Sequence, residues 1–219
     1  WNSFRRVISL RRHDKEDKMT EIDKRNLKNY LYITFGITYI AWGLLAIFTQ
    51  SDIFGLETIL GRTLHIVGAL GPAIASGFYL KRNKIKFQHF VFSKKENSNL
   101  YFIIHLLAIL ILFSVSSLEL NGISIYLMPL FFIQLIFFGG GHEELGWRGI
   151  LQPLLDKKYT YWQSNLIVGS IWGIWHLPLW FIVGESHQGF PFILFFIYTL
   201  FLSFVLGLLY RQTKSVGYC

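Results

Sequence analysis

Apolar residues in this chain fall into six runs, roughly 30–49, 63–80, 99–117, 123–141, 162–183 and 191–210, separated by short polar stretches. Each run approaches the length of about 20 residues that crosses the hydrocarbon layer of a bilayer. A backbone in lipid must satisfy its own hydrogen bonds, so each run is predicted to be a helix. Gly, Pro and aromatic residues recur inside the runs, as they do in membrane helices. The pattern predicts an all-α, polytopic membrane helix bundle with about six transmembrane helices. No spaced repeat or low-complexity linker divides it. One membrane domain over 30–219 therefore follows a polar, basic segment over 1–29.

Composition agrees with this reading. Hydrophobic residues make up 53% of the 219 positions and charged residues only 16%, against about 25% charged in soluble domains. The net charge of +8 would suit nucleic acid, but its distribution does not. Nine Lys and Arg precede the first run, six lie in the second loop, three in the fourth and two after the last run; Arg62 is the single exception. Twenty of 21 thus fall on one side, the positive-inside pattern with both ends cytoplasmic. The basic excess marks topology and some attraction to anionic lipid, and nucleic acid is not expected as a partner.

The ends carry less information. Cys219 is the only cysteine, so no internal disulfide is expected, and as the last residue it makes no prenylation box. Residues 1–29 lack the apolar core of a signal peptide. Met19 looks like a natural start, which makes 1–18 an extension upstream of it.

Chemistry concentrates in two places. The first is GGGHEELGWRGILQ, residues 139–152, at the end of the fourth run. Glu144 and Arg148 are four apart with Glu first, the favourable order for an ion pair on a helix. Glu143 points elsewhere and stays free for another partner. An unpaired, desolvated carboxylate is a stronger base, the property a general base needs. A helix end with snorkelling charges would explain one such residue better than four within seven. Gly139, Gly140 and Gly141 weaken the helix just before them, so a new helix is expected with Glu143 and Glu144 in its first turn.

The second is SIWGIWHLPLW, residues 170–180, inside the fifth run. His176 lies deep in an apolar segment, where an ionisable residue is costly and suggests function. Trp172 shares its face. Pro178 removes a backbone donor and frees the carbonyl of Ile174, predicting a kink beside His176. The plain alternative is a His hydrogen-bonded across the bundle. His65 and His105 are isolated in apolar runs and read as structural, and His13, His89 and His187 fall in polar loops. His142-Glu143-Glu144-Leu145-Gly146 is not an H-E-x-x-H zinc motif. A divalent metal such as zinc, held by His176 and Glu143, stays open, but the residues require no cofactor.

EELGWRG, followed some thirty residues later by WHLPLW, resembles the CAAX protease and bacteriocin-processing family, the Rce1-like intramembrane endopeptidases. The family's E-E-x-x-x-R is met by Glu143, Glu144 and Arg148. Its aromatic-x-x-x-His is met by Trp172 and His176. The resemblance implies a fold of about eight membrane helices. It also implies a mechanism in which Glu143 activates water, His176 orients it, and Glu144 with Arg148 holds the motif helix. Trp147, Trp172 and His142 would shape the site. The family's later His and Asn or Asp, four residues apart, have no match at any His here, so the chain is expected to be incomplete at its C-terminus.

The substrate expected is a peptide precursor or membrane protein, as in bacteriocin maturation or self-immunity, at a bacterial plasma membrane. The alternatives are an inactive scaffold or immunity protein of the same fold, and a proton-coupled transporter. One geometric problem accompanies all of these. In straight helices Glu143 lies near the cytoplasmic surface and His176 near the opposite one. Tilted, broken or offset helices are needed for them to meet, with the triple Gly and Pro178 as the places for a break.

Overall fold

The computed structural model describes residues 19–115 and 140–219. All of its regular structure is helical among these residues. Helix α1 spans Glu21–Gln50, α2 Ile59–Ala69, α3 Gly71–Asn83, α4 Phe87–Phe92 and α5 Ser98–Val115. The fourth apolar run, 123–141, lies almost wholly outside the described residues. Residues 141–156 form one irregular helix, α6. It begins as a 3-10 turn at Gly141–Glu143, passes through Glu144–Gly146, widens to a π turn at Trp147–Leu151 and closes at Gln152–Asp156. Helix α7 spans Tyr161–Trp175 and α8 Phe192–Thr213.

Helices α1 and α8 are each long and apolar enough to cross a membrane, and α2 with α3 makes one further, broken span. Their outward residues are large and apolar: Ile40 on α1 is 66% exposed and Phe201 on α8 64%. This is the surface that lipid covers, and the chain is an integral membrane protein. α1 starts on a capping box, with Asp23 accepting from the Thr20 backbone and Thr20 Oγ1 from the Asp23 backbone. Its inward stripe runs Tyr30, Thr34, Thr38, Ala41 and Leu45, the spacing of one helical face.

Two predicted single spans are broken, and proline is the cause of each. The run 63–80 bends by 50° between α2 and α3. Pro72, in the first turn of α3, cannot donate to the carbonyl of Gly68. Thr38 Oγ1 donates to that carbonyl instead, at 2.7 Å. The run 162–183 is an α-helix only to Trp175 and continues as a 3-10 turn over Leu177–Phe181. Pro178 frees the carbonyl of Ile174, as expected, and the Tyr39 hydroxyl donates to it at 2.7 Å. Both breaks are thus capped by neighbouring residues of α1. Thr38 Oγ1 also accepts from Trp175 Nε1 at 2.8 Å, joining the two breaks directly.

α7 and α8 pack along each other through small residues. A Cβ on Gly207 would collide with the Asn165 side chain. Ser203 Oγ donates to the Asn165 carbonyl at 2.9 Å. Trp42, Trp147 and Trp175, all buried, form the core where α1, α6 and α7 meet.

Candidate active site

Gly140 turns the chain into α6 with φ of +102°, a conformation suited to glycine. A Cβ there would also stand 3.2 Å from Glu143 Oε1. The turn places Glu143 at the head of α6, 6% exposed. Two indoles hold one of its oxygens: Oε2 accepts from Trp147 Nε1 at 3.2 Å and from Trp172 Nε1 at 2.7 Å. Oε1 has no hydrogen-bond partner among the described residues.

Glu144 turns the other way. Its Oε1 accepts from Arg148 Nη1 at 2.9 Å, with both side chains buried. Arg148 Nη2 donates to the Ser203 carbonyl at 3.3 Å, so the same guanidinium ties α6 to α8. It also lies 5.2 Å over the Trp172 ring. The ion pair expected from the four-residue spacing is present, and Glu143 is left out of it.

His176 closes α7. Its Nδ1 sits 2.9 Å from the Trp172 carbonyl, which can only accept, so Nδ1 carries the proton and Nε2 is left with its lone pair. Trp172 therefore touches both motifs, through its indole to Glu143 and through its carbonyl to His176. The Trp172 and His176 rings lie 6.1 Å apart between centroids. His142 reaches the break in the second span, its Nε2 donating to the Ala69 carbonyl at 3.1 Å. Buried polar atoms without partners among the described residues gather here: His142 Nδ1, Glu144 Oε2 and Arg148 Nε.

Two histidines that carry no signal in the sequence also converge on the site. Glu185, in the loop between α7 and α8, has Oε1 3.0 Å from His187 Nδ1 and Oε2 3.1 Å from His65 Nε2. Burial alone would raise the Glu185 carboxyl, but the contacts with His187 and His65 outweigh it and hold the group well below the usual carboxylate range. The His187 ring then stacks on His176, centroids 6.2 Å apart and planes 28° from parallel. No local pattern links residues 65, 185 and 187, and His65 is read off its sequence as an isolated core residue. His105 Nδ1 bonds the Tyr101 carbonyl one turn back, at 2.8 Å. Among the described residues no three His, Cys, Asp or Glu side chains lie close enough together to hold a metal ion.

Comparison with known proteins identifies the family that the chain resembles. Residues 124–219 match a family model described as type II CAAX prenyl endopeptidase Rce1-like. The chain is also 30% identical, over an alignment of 187 positions, to CAAX prenyl protease 2 of Methanococcus maripaludis. That alignment covers 75% of this chain and 66% of the relative's length.

Proposed function

Because the chain belongs to the Rce1-like family, we propose that it is an intramembrane, glutamate-dependent endopeptidase acting on a membrane-associated protein or peptide precursor. Glu143 is the general base. Water attacks the scissile carbonyl carbon and gives a proton to Glu143 Oε1. The C–N bond breaks, and the proton passes to the departing amine. His176, with Nε2 unprotonated, accepts a hydrogen bond from the water and orients it. Glu144 and Arg148 hold α6 against α8, Trp147 and Trp172 fix the carboxylate, and His142 lines the wall.

One observation carries this reading most: Glu143 Oε2 is fastened by two indole donors while Oε1 has no partner among the described residues. Glu144, by contrast, is neutralised by Arg148 at 2.9 Å, while Glu143 has no cation partner among the described residues, which leaves its carboxylate the more basic of the two. The reading requires no metal, so chelators such as 1,10-phenanthroline are expected to leave activity intact. The positive-inside pattern supports a cytoplasmic N-terminus; the membrane proposed is a bacterial plasma membrane.

The test is cleavage in proteoliposomes of two quenched-fluorescence peptides, one prenylated at a C-terminal cysteine and one unprenylated precursor. Glu143→Gln keeps an acceptor for the indoles but cannot take the proton. Its rate is expected to fall by about 10²–10⁴, the usual contribution of a general base, with unchanged thermal stability. Cleavage by Glu143→Gln at the rate of the unaltered chain would refute the assignment. If the unaltered chain cleaves neither peptide, the inactive-scaffold reading replaces the enzyme.

A further inference from the structure

A cavity of about 610 Å³ opens between α1 and α3. Its lining is sorted by depth. On α1, Asn26 and Asn29 line one end and Ile33 the other. On α3, which runs antiparallel, Lys81 and Arg82 line the first end and Ala75 and Phe78 the second. Seven residues separate 26 from 33 and likewise 75 from 82, about 10 Å of helix in each case. Two helices therefore carry the same gradient in opposite chain directions, polar toward the basic loop and apolar toward the membrane interior.

The charged residues that line the polar end are both cations, and Asp23, one turn before Asn26 on α1, is already paired with Lys157 at 2.8 Å. Lys81 and Arg82 are exposed, in the last turn of α3, and neither has an ion-pair partner among the described residues. On α1, Lys28 holds its Nζ 5.5 Å over the ring of Tyr32, which also lines the cavity. An occupant must match this arrangement with an anionic head at the membrane surface and an apolar chain pointing inward. Basic pockets between membrane helices on the cytoplasmic side suit anionic lipid headgroups.

We propose that this cavity is a binding site for an anionic phospholipid of the cytoplasmic leaflet. The phosphate lies against Lys81 and Arg82, and one acyl chain lies between α1 and α3 along Ile33 and Phe78. The site is separate from the Glu143 chemistry but adjoins it. Tyr30 forms part of the cavity wall, meets Trp147 edge-on with centroids 6.1 Å apart, and packs its hydroxyl against Gly146 of α6. A lipid seated there braces α1 and α3 against the helix that carries the motif.

The experiment is native mass spectrometry of the full chain released from nanodiscs of phosphatidylcholine with and without phosphatidylglycerol. One phosphatidylglycerol is expected to stay bound in preference to phosphatidylcholine. Lys81→Ala with Arg82→Ala should weaken its retention roughly 30-fold, from about 1 kcal/mol for each cation. Lys84→Ala with Lys86→Ala, in the same basic loop but outside the cavity, should change it less than twofold. Ile33→Trp, which fills the apolar end, should expel the lipid with every cation in place. Equal losses in the two double variants would mean a diffuse basic surface and overturn the proposal. So would retention of phosphatidylcholine as strongly as phosphatidylglycerol, or competitive displacement of the lipid by a prenylated peptide, which would make the cavity a substrate groove. No arm depends on proteolysis, so loss of the Glu143 reading would leave this test intact.

Discussion

Arg148 is fully buried and Glu144 is 3% exposed, so the two are paired in a place where a lone charge is expensive. Arg148→Met removes the cation and leaves Glu144 without its 2.9 Å partner. Breaking a buried pair from one side costs about 3–5 kcal/mol. Glu144→Leu strands Arg148 in the same way and should cost a similar amount, less whatever the Ser203 carbonyl and the Trp172 ring still return to the guanidinium. Replacing both together removes two desolvation costs at once, and apolar substitutes of similar volume are often neutral. What remains is the Ser203 carbonyl without its donor, about 1 kcal/mol. The double variant should therefore lose about 1 kcal/mol where the sum of the singles predicts roughly 6–10. Reversible unfolding of the four chains in mild detergent, followed by circular dichroism, measures the cycle. A double variant as unstable as the sum of the singles would show that the pair is not an isolated, desolvated unit.

Three other outcomes are expected. The Glu185 carboxyl is held low in the folded chain, so it stabilises the loop above about pH 4, the ordinary carboxylate range, and that stability is lost as pH falls through its lower folded value. The thermal midpoint of the unaltered chain should drop more steeply below pH 4 than that of Glu185→Gln; parallel curves would contradict the role given to His65 and His187. Gly146→Ala would push a methyl into the Tyr30 hydroxyl and Pro72, costing about 1–3 kcal/mol by overpacking, and Tyr30→Phe in the same chain should recover part of the loss in a thermal unfolding scan. His176→Phe keeps the ring among Trp175, Phe195 and His187 but removes the acceptor nitrogen, so proteoliposome cleavage should fall by at least tenfold while the thermal midpoint holds.

The features legible in the sequence are those encoded within one helical turn or two. Glu144 and Arg148 are four apart, so their pairing follows from helix geometry alone. Pro178 and Ile174 are also four apart, and the spacing by itself names the freed carbonyl. Trp172 and His176 share a face for the same reason. The break at Leu70 is hidden although Pro72 stands in the run, because hydropathy counts Pro and Gly as compatible with a span and does not register a lost donor. The Glu185 contacts are hidden for a different reason. His65 and Glu185 are 120 positions apart, and neither has a neighbour that marks it. Only the packing of the loop onto α2 makes them partners. Glu143 and His176, far apart on straight helices, share a neighbour in Trp172, whose indole donates to Glu143 and whose ring centroid lies 6.1 Å from that of His176.

The capping of both breaks by α1 has a mechanical consequence. Thr38 holds the Gly68 carbonyl and Trp175, and Tyr39 holds the Ile174 carbonyl. Adjacent residues of a rigid helix cannot move apart, so the two loose ends share a single degree of freedom. A slide of α1 by one residue, about 1.5 Å, would strain all three hydrogen bonds together. Rearrangement that preserves them must carry α1, the α2–α3 bend and the end of α7 as one block. Among the described residues, Phe195 in the first turn of α8 and His187 in the loop before it lie against the His176 ring, at 4.9 and 6.2 Å between centroids, and neither is tied into that block by these three bonds.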